Sequence, residues 1–424
     1  MTSKRISIIG LGYIGLPTAA VFASRKHKVI GVDVIQDTVD IINAGKVHIV
    51  EPGLEVMVEE GVKNGFLRAV TSPEPADAFL IAVPTPFLKH ISEDSVPKPD
   101  LSYIESASRS VAKVLKKGDV VILESTSPVG TTEKMAEWLA QERPDLTFPQ
   151  THGSISDIRI AYCPERVLPG NVINELIQND RVIGGMTESC SEAAIEVYGS
   201  FVEGSCVTTN ARAAEMTKLT ENASRDVGIA FANELSVICD DLDIDVWELI
   251  RLANRHPRVN ILQPGPGVGG HCIAVDPWFI VDKSPNHSKL IKAARNVNDQ
   301  KPQWVVDKVK LAIADILLNS PSKSSSDISI ACYGLAFKPN IDDLRESPAL
   351  LIAKKIIEIH SGTVLLVEPN ITSLPETLKK GQLSDLDKSI EEADLHLLLV
   401  DHSDFYSRLP TSGVIIDTRG IWSA

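Results

Sequence analysis

The residues best suited to covalent chemistry lie in one segment, PGPGVGGHCIAVDPW, residues 264–278. Gly265, Gly267, Gly269 and Gly270 make a loop whose backbone can approach a ligand closely. Cys272 follows, and Asp276 stands four residues later, where one helical turn places a carboxylate beside the thiol. A solitary cysteine is by default an inert buried thiol. Access through a glycine loop, backbone amide donors and a nearby cation would instead make it a nucleophile. The cation is offered upstream. Glu215, Lys218, Asn222 and Arg225 are spaced i, i+3, i+7 and i+10. On a helix they share an arc of roughly 80°. Met216, Leu219, Ala223, Val227, Ile229, Ala230, Phe231 and Ala232 fill much of the rest. A mostly buried helix is expected, whose polar stripe faces a site, an interface or solvent. His256 and Arg258, just before the glycine loop, suit phosphate or sugar hydroxyls, or simple surface charge.

A second chemistry is written near the N-terminus. Gly10, Gly12 and Gly15 have G-x-G-x-x-G spacing after the apolar run ISII and at the start of a helical pattern. Gly10 permits the tight turn, Gly12 lets a pyrophosphate reach the backbone, and Gly15 allows close helix–strand packing. Phosphates would sit on the helix N-terminus, where free N–H groups favour an anion. Asp33 closes the next strand, at the distance where a carboxylate binds ribose hydroxyls and repels a 2′-phosphate, so NAD is expected rather than NADP. Thr85 and Thr126 end later strands at the same sheet edge and are cofactor candidates, or ordinary strand-end caps.

These groups need a scaffold. The first half alternates short apolar runs with helical patterns: ISIIG, KVIGVDV, AFLIAVPTP, DVVILEST and RIAYCPE read as buried strands of a parallel sheet. A long helix is expected from about Ala211 to Asp240, and a serine-rich stretch, 319–329, reads as a linker. The rhythm then resumes in ISIACYGLAFK, TVLLVEP, ADLHLLLV and GVIIDTRG. The expected class is α/β: two Rossmann-like doubly wound domains joined by a long central helix. The expected divisions are 1–205, 206–318 and 319–424, the first binding NAD, the second helical and carrying the cysteine loop, the third binding a nucleotide sugar.

Composition sets bounds. The 424 residues suit two or three domains, and 43% hydrophobic with 23% charged residues is ordinary for a globular protein. A net charge of −14 argues against a nucleic-acid surface. The six cysteines form no C-x-x-C pair, so no metal site is expected. The first strand begins by Ile6, leaving no room for a signal peptide, and no apolar run is long enough for a membrane span. A reducing cytoplasm is the expected compartment.

With these residues in view, the sequence resembles the UDP-glucose/GDP-mannose dehydrogenase family over nearly its whole length. The likeness rests on GLGYIGLP, ESTSPVGTT, YCPERVLPGN, AAEMTKLTENASRDVGIAFANE, HPRVN, GPGVGGHCIAVDPWF, AFKPNIDDLRESPA and DTRG, in the family's order. The resemblance implies NAD as cofactor, a UDP-sugar as substrate, a homodimer or higher homo-oligomer, and two successive oxidations of a primary alcohol. It implies that Cys272 is the nucleophile, Lys218 the acid/base with Asn222 beside it, Asp276 their partner, and Glu165 a carboxylate of the hydrolytic half. It implies substrate contacts from Arg166, Val167, Lys218, Asn222, Arg225, His256, Arg258, Gly269, Phe337, Lys338 and Arg419. NAD contacts are implied for Gly10, Gly12, Tyr13, Ile14, Gly15, Asp33, Thr85, Thr126 and Arg345. Two positions depart from the UDP-glucose branch: Val275 replaces a lysine, and Pro169 replaces a second glutamate. Together with GGHC and VDPWF they resemble the branches acting on N-acetylated sugars, so UDP-N-acetylmannosamine and UDP-N-acetylglucosamine are the candidate substrates.

Overall fold

The computed structural model describes residues 3–88, 96–167, 170–270 and 272–422; Pro169 lies outside them. The chain divides into two compact units, Met1–Glu221 and Asn222–Ala424.

Among the described residues the first unit is built on eight strands: β1 (Arg5–Ile9), β2 (Lys28–Val32), β3 (Leu67–Val70), β4 (Ala78–Ile81), β5 (Val120–Leu123), β6 (Arg159–Tyr162), β7 (Arg181–Gly185) and β8 (Cys206–Asn210). They lie in the order β3-β2-β1-β4-β5-β6-β7-β8, parallel except for the antiparallel β6–β7 pair. Both faces of the central strands are covered, so β1, β2, β4 and β5 are near-continuous apolar runs whose side chains alternate between two cores. Ala78 and Leu80 of β4 join Ile6, Leu16 and Phe22 on one face, while Phe79 and Ile81 join Val111, Met135 and Leu139 on the other. The order reverses between β1 and β4. Ligands of open α/β sheets bind at such a switch point, beyond the carboxyl ends of the strands.

The second unit carries β9 (Ile330–Tyr333), β10 (Val364–Val367), β11 (Gln382–Leu383), β12 (Leu395–Leu398) and β13 (Val414–Asp417), all parallel, in the order β11-β10-β9-β12-β13. That is the β3-β2-β1-β4-β5 winding repeated. The molecule is thus an α/β protein with two doubly wound sheets and a long helix, Ala211–Asp241, between them in sequence.

Three expectations differ in detail. Strands β3, β7, β8 and β11 stand beyond those read from the sequence. The central helix is less buried than its apolar content suggested, with Met216 39% and Phe231 51% exposed. The serine-rich stretch is ordered: Ser324 and Asp327 form a capping box around a short 3₁₀ turn, and Ser329 bonds Asp394. Serine and aspartate side chains satisfy backbone groups locally, so a serine-rich stretch need not be loose.

Candidate functional site

The glycine loop joins β1 to the helix Gly15–Ser24, and each glycine answers a different demand. Gly10 has φ +93°, and a Cβ there would fall 2.5 Å from the Ala82 oxygen. A Cβ on Gly15 would fall 1.8 Å from the Gly10 oxygen. A Cβ on Gly12 would meet nothing within 4 Å, leaving open space over the backbone. Asp33 holds this loop: its Oδ2 accepts from Leu11 N (3.1 Å) and its Oδ1 from Ile35 N (3.0 Å). A carboxylate has lone pairs for further donors, so ribose binding is still open to it. Tyr13 is exposed and Ile14 half-buried beside Gly12. Thr85 and Thr126 follow β4 and β5. The Thr85 Oγ1 is buried with no hydrogen-bond partner among the described residues. An open backbone cradle and an orphaned buried hydroxyl fit a dinucleotide.

Glu165 follows β6, and its carboxylate is buried in an ion pair with Arg181. The Arg181 guanidinium stacks over the Tyr198 ring at 4.8 Å, and the Tyr198 hydroxyl donates to Glu124 Oε1 (2.6 Å). Burial first, then the Glu165 charge, pushes the Glu124 carboxyl up to about 8, against the Tyr198 hydrogen bond and Arg181. Burial also pushes the neighbouring Cys163 thiol up to about 12. Sequence reasoning found Glu165 but neither its buried partners nor their number. Arg166 pairs with Glu221 (2.7 Å), and Val167 is half-buried.

On the central helix the polar stripe divides. Glu215 is fully buried, accepting from Gly130 N (2.6 Å), Thr132 N (2.7 Å) and Thr132 Oγ1 (2.7 Å). It caps the helix Thr131–Glu142 and belongs to the scaffold. Lys218 is half-buried, and its ammonium makes no hydrogen bond or ion pair with a described residue. Asn222 stands one turn later, and Arg225 is exposed.

In the second unit, Asn222 Nδ2 donates to Asp276 Oδ2 at 2.5 Å. Asp276 is 2% exposed and opens the helix Asp276–Lys283, its N–H bonded to the Cys272 carbonyl (2.9 Å). The expected single turn between thiol and carboxylate is therefore present. Cys272 is exposed, whereas Cys206 is half-buried and Cys163, Cys190, Cys239 and Cys332 are buried. The loop before it is packed too tightly for side chains. A Cβ on Gly269 would fall 2.4 Å from the Glu346 oxygen, one on Gly265 2.7 Å from Arg419 Nη1, and one on Gly270 3.3 Å from the Phe337 ring. Phe337 and Arg419, both expected at the substrate, thus lie beside the cysteine loop. Lys338 follows, half-buried. A buried network missed in the sequence fixes the loop's start: Gly265 N donates to Asn233 Oδ1 (2.8 Å), Asn233 Nδ2 to Asn298 Oδ1 (2.8 Å), and Asn298 Nδ2 to Asp226 Oδ1 (2.8 Å).

Further expected residues of the second unit lie at exposed or ion-paired positions. His256 and Arg258 are exposed on a turn closed by Arg258 N to His256 Nδ1 (3.3 Å). The Arg345 guanidinium is 56% exposed and gripped by both Asp343 oxygens, at 2.9 and 2.6 Å. Arg419 is likewise bound to Asp401, at 2.7 Å through Nε. Among the described residues no cluster of His, Cys, Asp or Glu could hold a metal, and no helix is long and apolar enough to cross a membrane.

Comparison with known proteins agrees with both nucleotide folds and the segment between them. Residues 4–202 match the NAD binding domain of the UDP-glucose/GDP-mannose dehydrogenase family, 212–300 its central domain, and 331–424 its UDP binding domain. The chain is 62% identical over 427 residues to UDP-N-acetyl-D-mannosamine dehydrogenase of Escherichia coli (strain K12), covering 100% of both. It is 59% identical over 425 residues to an NDP-N-acetyl-D-galactosaminuronic acid dehydrogenase of Ralstonia nicotianae, covering 99% of this chain and 97% of that one. Among solved structures, the UDP-N-acetyl-mannosamine dehydrogenase of S. aureus superposes with a TM-score of 0.83 at 40% identity, covering 99% of this chain and 96% of that one. The chain belongs to the UDP-glucose/GDP-mannose dehydrogenase family, and strands β1 to β7 of its first sheet lie in that family's NAD-binding domain.

Proposed function

We propose that this chain oxidises UDP-N-acetyl-D-mannosamine to UDP-N-acetyl-D-mannosaminuronate, with two NAD⁺ consumed per sugar. The full-length likeness to UDP-N-acetyl-D-mannosamine dehydrogenase carries this reading. The relative from Ralstonia nicotianae, almost as similar, favours a second reading in which another N-acetylated sugar is the substrate.

NAD⁺ supplies a hydride acceptor at each oxidation; the chain supplies everything else. In the first oxidation the C6 hydroxyl gives its proton to the region of Lys218 and its hydride leaves, producing an aldehyde. Cys272 Sγ then adds to the aldehyde carbon, and the carbonyl oxygen takes up a proton to give a thiohemiacetal. Loss of a second hydride and that hydroxyl proton leaves a thioester. Water adds, the C–S bond breaks, and carboxylate and thiol are released. The covalent step is useful because a free aldehyde is a poor hydride donor, whereas its tetrahedral thiol adduct is a good one. Lys218 and Asn222 stabilise the oxyanion at both tetrahedral stages. Asp276, held by Asn222, orients the water. Glu165, locked to Arg181, joins that step only when its ion pair opens.

Arg166, Val167, Arg225, His256, Arg258, Gly269, Phe337, Lys338 and Arg419 complete the substrate contacts in this reading, and Tyr13, Ile14, Thr85, Thr126 and Arg345 the NAD contacts. The divisions 1–205, 206–318 and 319–424 separate cofactor binding, catalysis and sugar-nucleotide binding. A homodimer built on the central helix belongs to the same reading, supported by the exposed Phe231, Ile238 and Leu242; sedimentation at micromolar concentration tests it. The cytoplasm, where thiols stay reduced, is the compartment proposed.

The deciding experiment is the yield of NADH from limiting UDP-N-acetylmannosamine. Two NADH per sugar supports the reading. One NADH removes the thioester step. No reaction, with turnover of the galactosamine, glucosamine or glucose analogue, keeps the chemistry and replaces the sugar.

A further inference from the structure

The second doubly wound sheet repeats a backbone device of the first, with one change. In the first, Gly10 (φ +93°) donates to the Val32 carbonyl (2.8 Å), and Leu11 N donates to Asp33 (3.1 Å), the residue just after β2. In the second, Gly334 (φ +88°) donates to the Val367 carbonyl (2.8 Å), and Leu335 N donates to Glu368 (2.7 Å), the residue just after β10. Glu368 therefore occupies the place of a ribose-binding acid. Its oxygens are already taken. Oε2 also accepts from Ala336 N (3.0 Å) and His402 Nε2 (3.0 Å), and Oε1 from Asn370 N (3.2 Å) and Asn370 Nδ2 (3.1 Å). The carboxylate is buried and turned into an internal strut.

His402, also fully buried, continues the strut. Its Nδ1 accepts from Asn340 N (3.0 Å), which leaves the proton on Nε2, facing Glu368. Asn340 sits at φ +61°, and its Oδ1 accepts from both Ser403 N (2.9 Å) and Ser403 Oγ (3.0 Å). The turn 337–340 is thus clamped at both ends. Glu368 holds its start through the amides of Leu335 and Ala336, and His402 holds its end through the amide of Asn340. Phe337 and Lys338 lie between the clamps.

We propose that Glu368 and His402 are positioning residues for nucleotide-sugar binding, fixing the turn that presents Phe337 and Lys338 to the UDP group. This rests on the reading that Phe337 and Lys338 contact the substrate. Neither Glu368 nor His402 touches the ligand; both act through the turn.

The test is calorimetric binding of UDP and of NAD to the full-length protein. His402→Phe keeps an aromatic ring against Phe405, now 5.4 Å away in an edge contact, and removes the ring's hydrogen bonds with Glu368, Asn340 and Asn370. UDP should bind about tenfold more weakly, or about 1.4 kcal/mol, with NAD affinity unchanged. The double variant His402→Phe/Lys338→Ala should lose clearly less than the two single losses combined, because part of the His402 effect passes through Lys338. Additive losses, or an unchanged UDP affinity with only a lower melting temperature, overturn the inference. Should His402→Phe not fold, Asn340→Gly serves instead: it tolerates the positive φ but frees the turn from Ser403, and the same tenfold loss is expected. Should Lys338→Ala bind UDP as tightly as the wild type, the underlying placement of the substrate fails, and the inference with it. Weakening by Lys338→Ala but not by His402→Phe sinks the inference alone.

Discussion

Replacing Gly12 or Gly15 by alanine adds the same methyl group, three residues apart, and should give opposite failures. At Gly12 the methyl meets no protein atom within 4 Å and the φ is not positive, so the fold accepts it. Alanine also restricts the unfolded chain, and the melting temperature should hold or rise slightly. The methyl occupies the cradle over the backbone where the pyrophosphate approaches. Hydrogen bonds to charged groups contribute about 1.5–3 kcal/mol each, so losing one weakens NAD binding roughly 10- to 150-fold. At Gly15 the methyl lands 1.8 Å from the Gly10 oxygen, inside any van der Waals distance, and helix and strand must part. Overpacking of this kind costs about 1–3 kcal/mol. In a unit of this size that is a fall of about 2–12 °C. Differential scanning calorimetry and NAD titration of both variants separate the two. A Gly12→Ala variant that melts as low as Gly15→Ala, or that binds NAD like the wild type, refutes this division of roles.

Cys272→Ser should stop the reaction after the first oxidation, which single-turnover NADH release would show; full conversion to acid by this variant refutes the thioester scheme. Glu124, raised to about 8 by burial and Glu165, makes the first unit prefer a protonated carboxyl. A raised acid favours the folded state below its unfolded value near 4.5 and loses that advantage as pH climbs towards about 8. Glu124→Gln should therefore flatten the fall in melting temperature across that window; an unchanged slope contradicts it. Glu215→Ala strands two buried amides and a hydroxyl at the start of the helix Thr131–Glu142. A loss of about 2–4 kcal/mol is expected by urea denaturation, against almost none for exposed Arg225→Ala.

Much of the site could be read from residue types because local backbone demands leave local marks. Gly10, Gly12, Gly15 and Asp33 are such marks, and so are the cysteine loop and the single turn from Cys272 to Asp276. What escaped were partnerships across long stretches of sequence. Nothing in the stripe Glu215–Lys218–Asn222–Arg225 tells which member turns inward; Glu215 does so because the N-terminus of a helix some 80 residues earlier needs an acceptor, at |i−j| of 83 and 85. Asn233, Asn298, Glu368 and His402 are silent for the same reason. The missed strands have another cause. The pattern of β8 is largely exposed, as an edge strand's can be, and β11 spans only two residues, so neither carries the apolar run by which strands are recognised. The repeat was partly visible in the paired Ala-Asp openings ADAFLIAVP and ADLHLLLVD, which lead into β4 and β12, equivalent strands of the two sheets.

The uneven exposure of the thiols has a practical side. Burial drives Cys163 and Cys332 up to about 12 and raises Cys239 as well, so these three are protected from electrophiles by both access and protonation, while half-buried Cys206 is raised too and is protected by protonation. Cys190 is buried, its sulfur receiving a hydrogen bond from Ile160 N. A dilute alkylating dye or a pulse of peroxide should therefore react first at Cys272, the one exposed thiol. The native protein carries its own single-site label, and oxidative damage in storage should first take the form of a sulfenic acid at Cys272, reversible by thiol reductant while the fold stays intact.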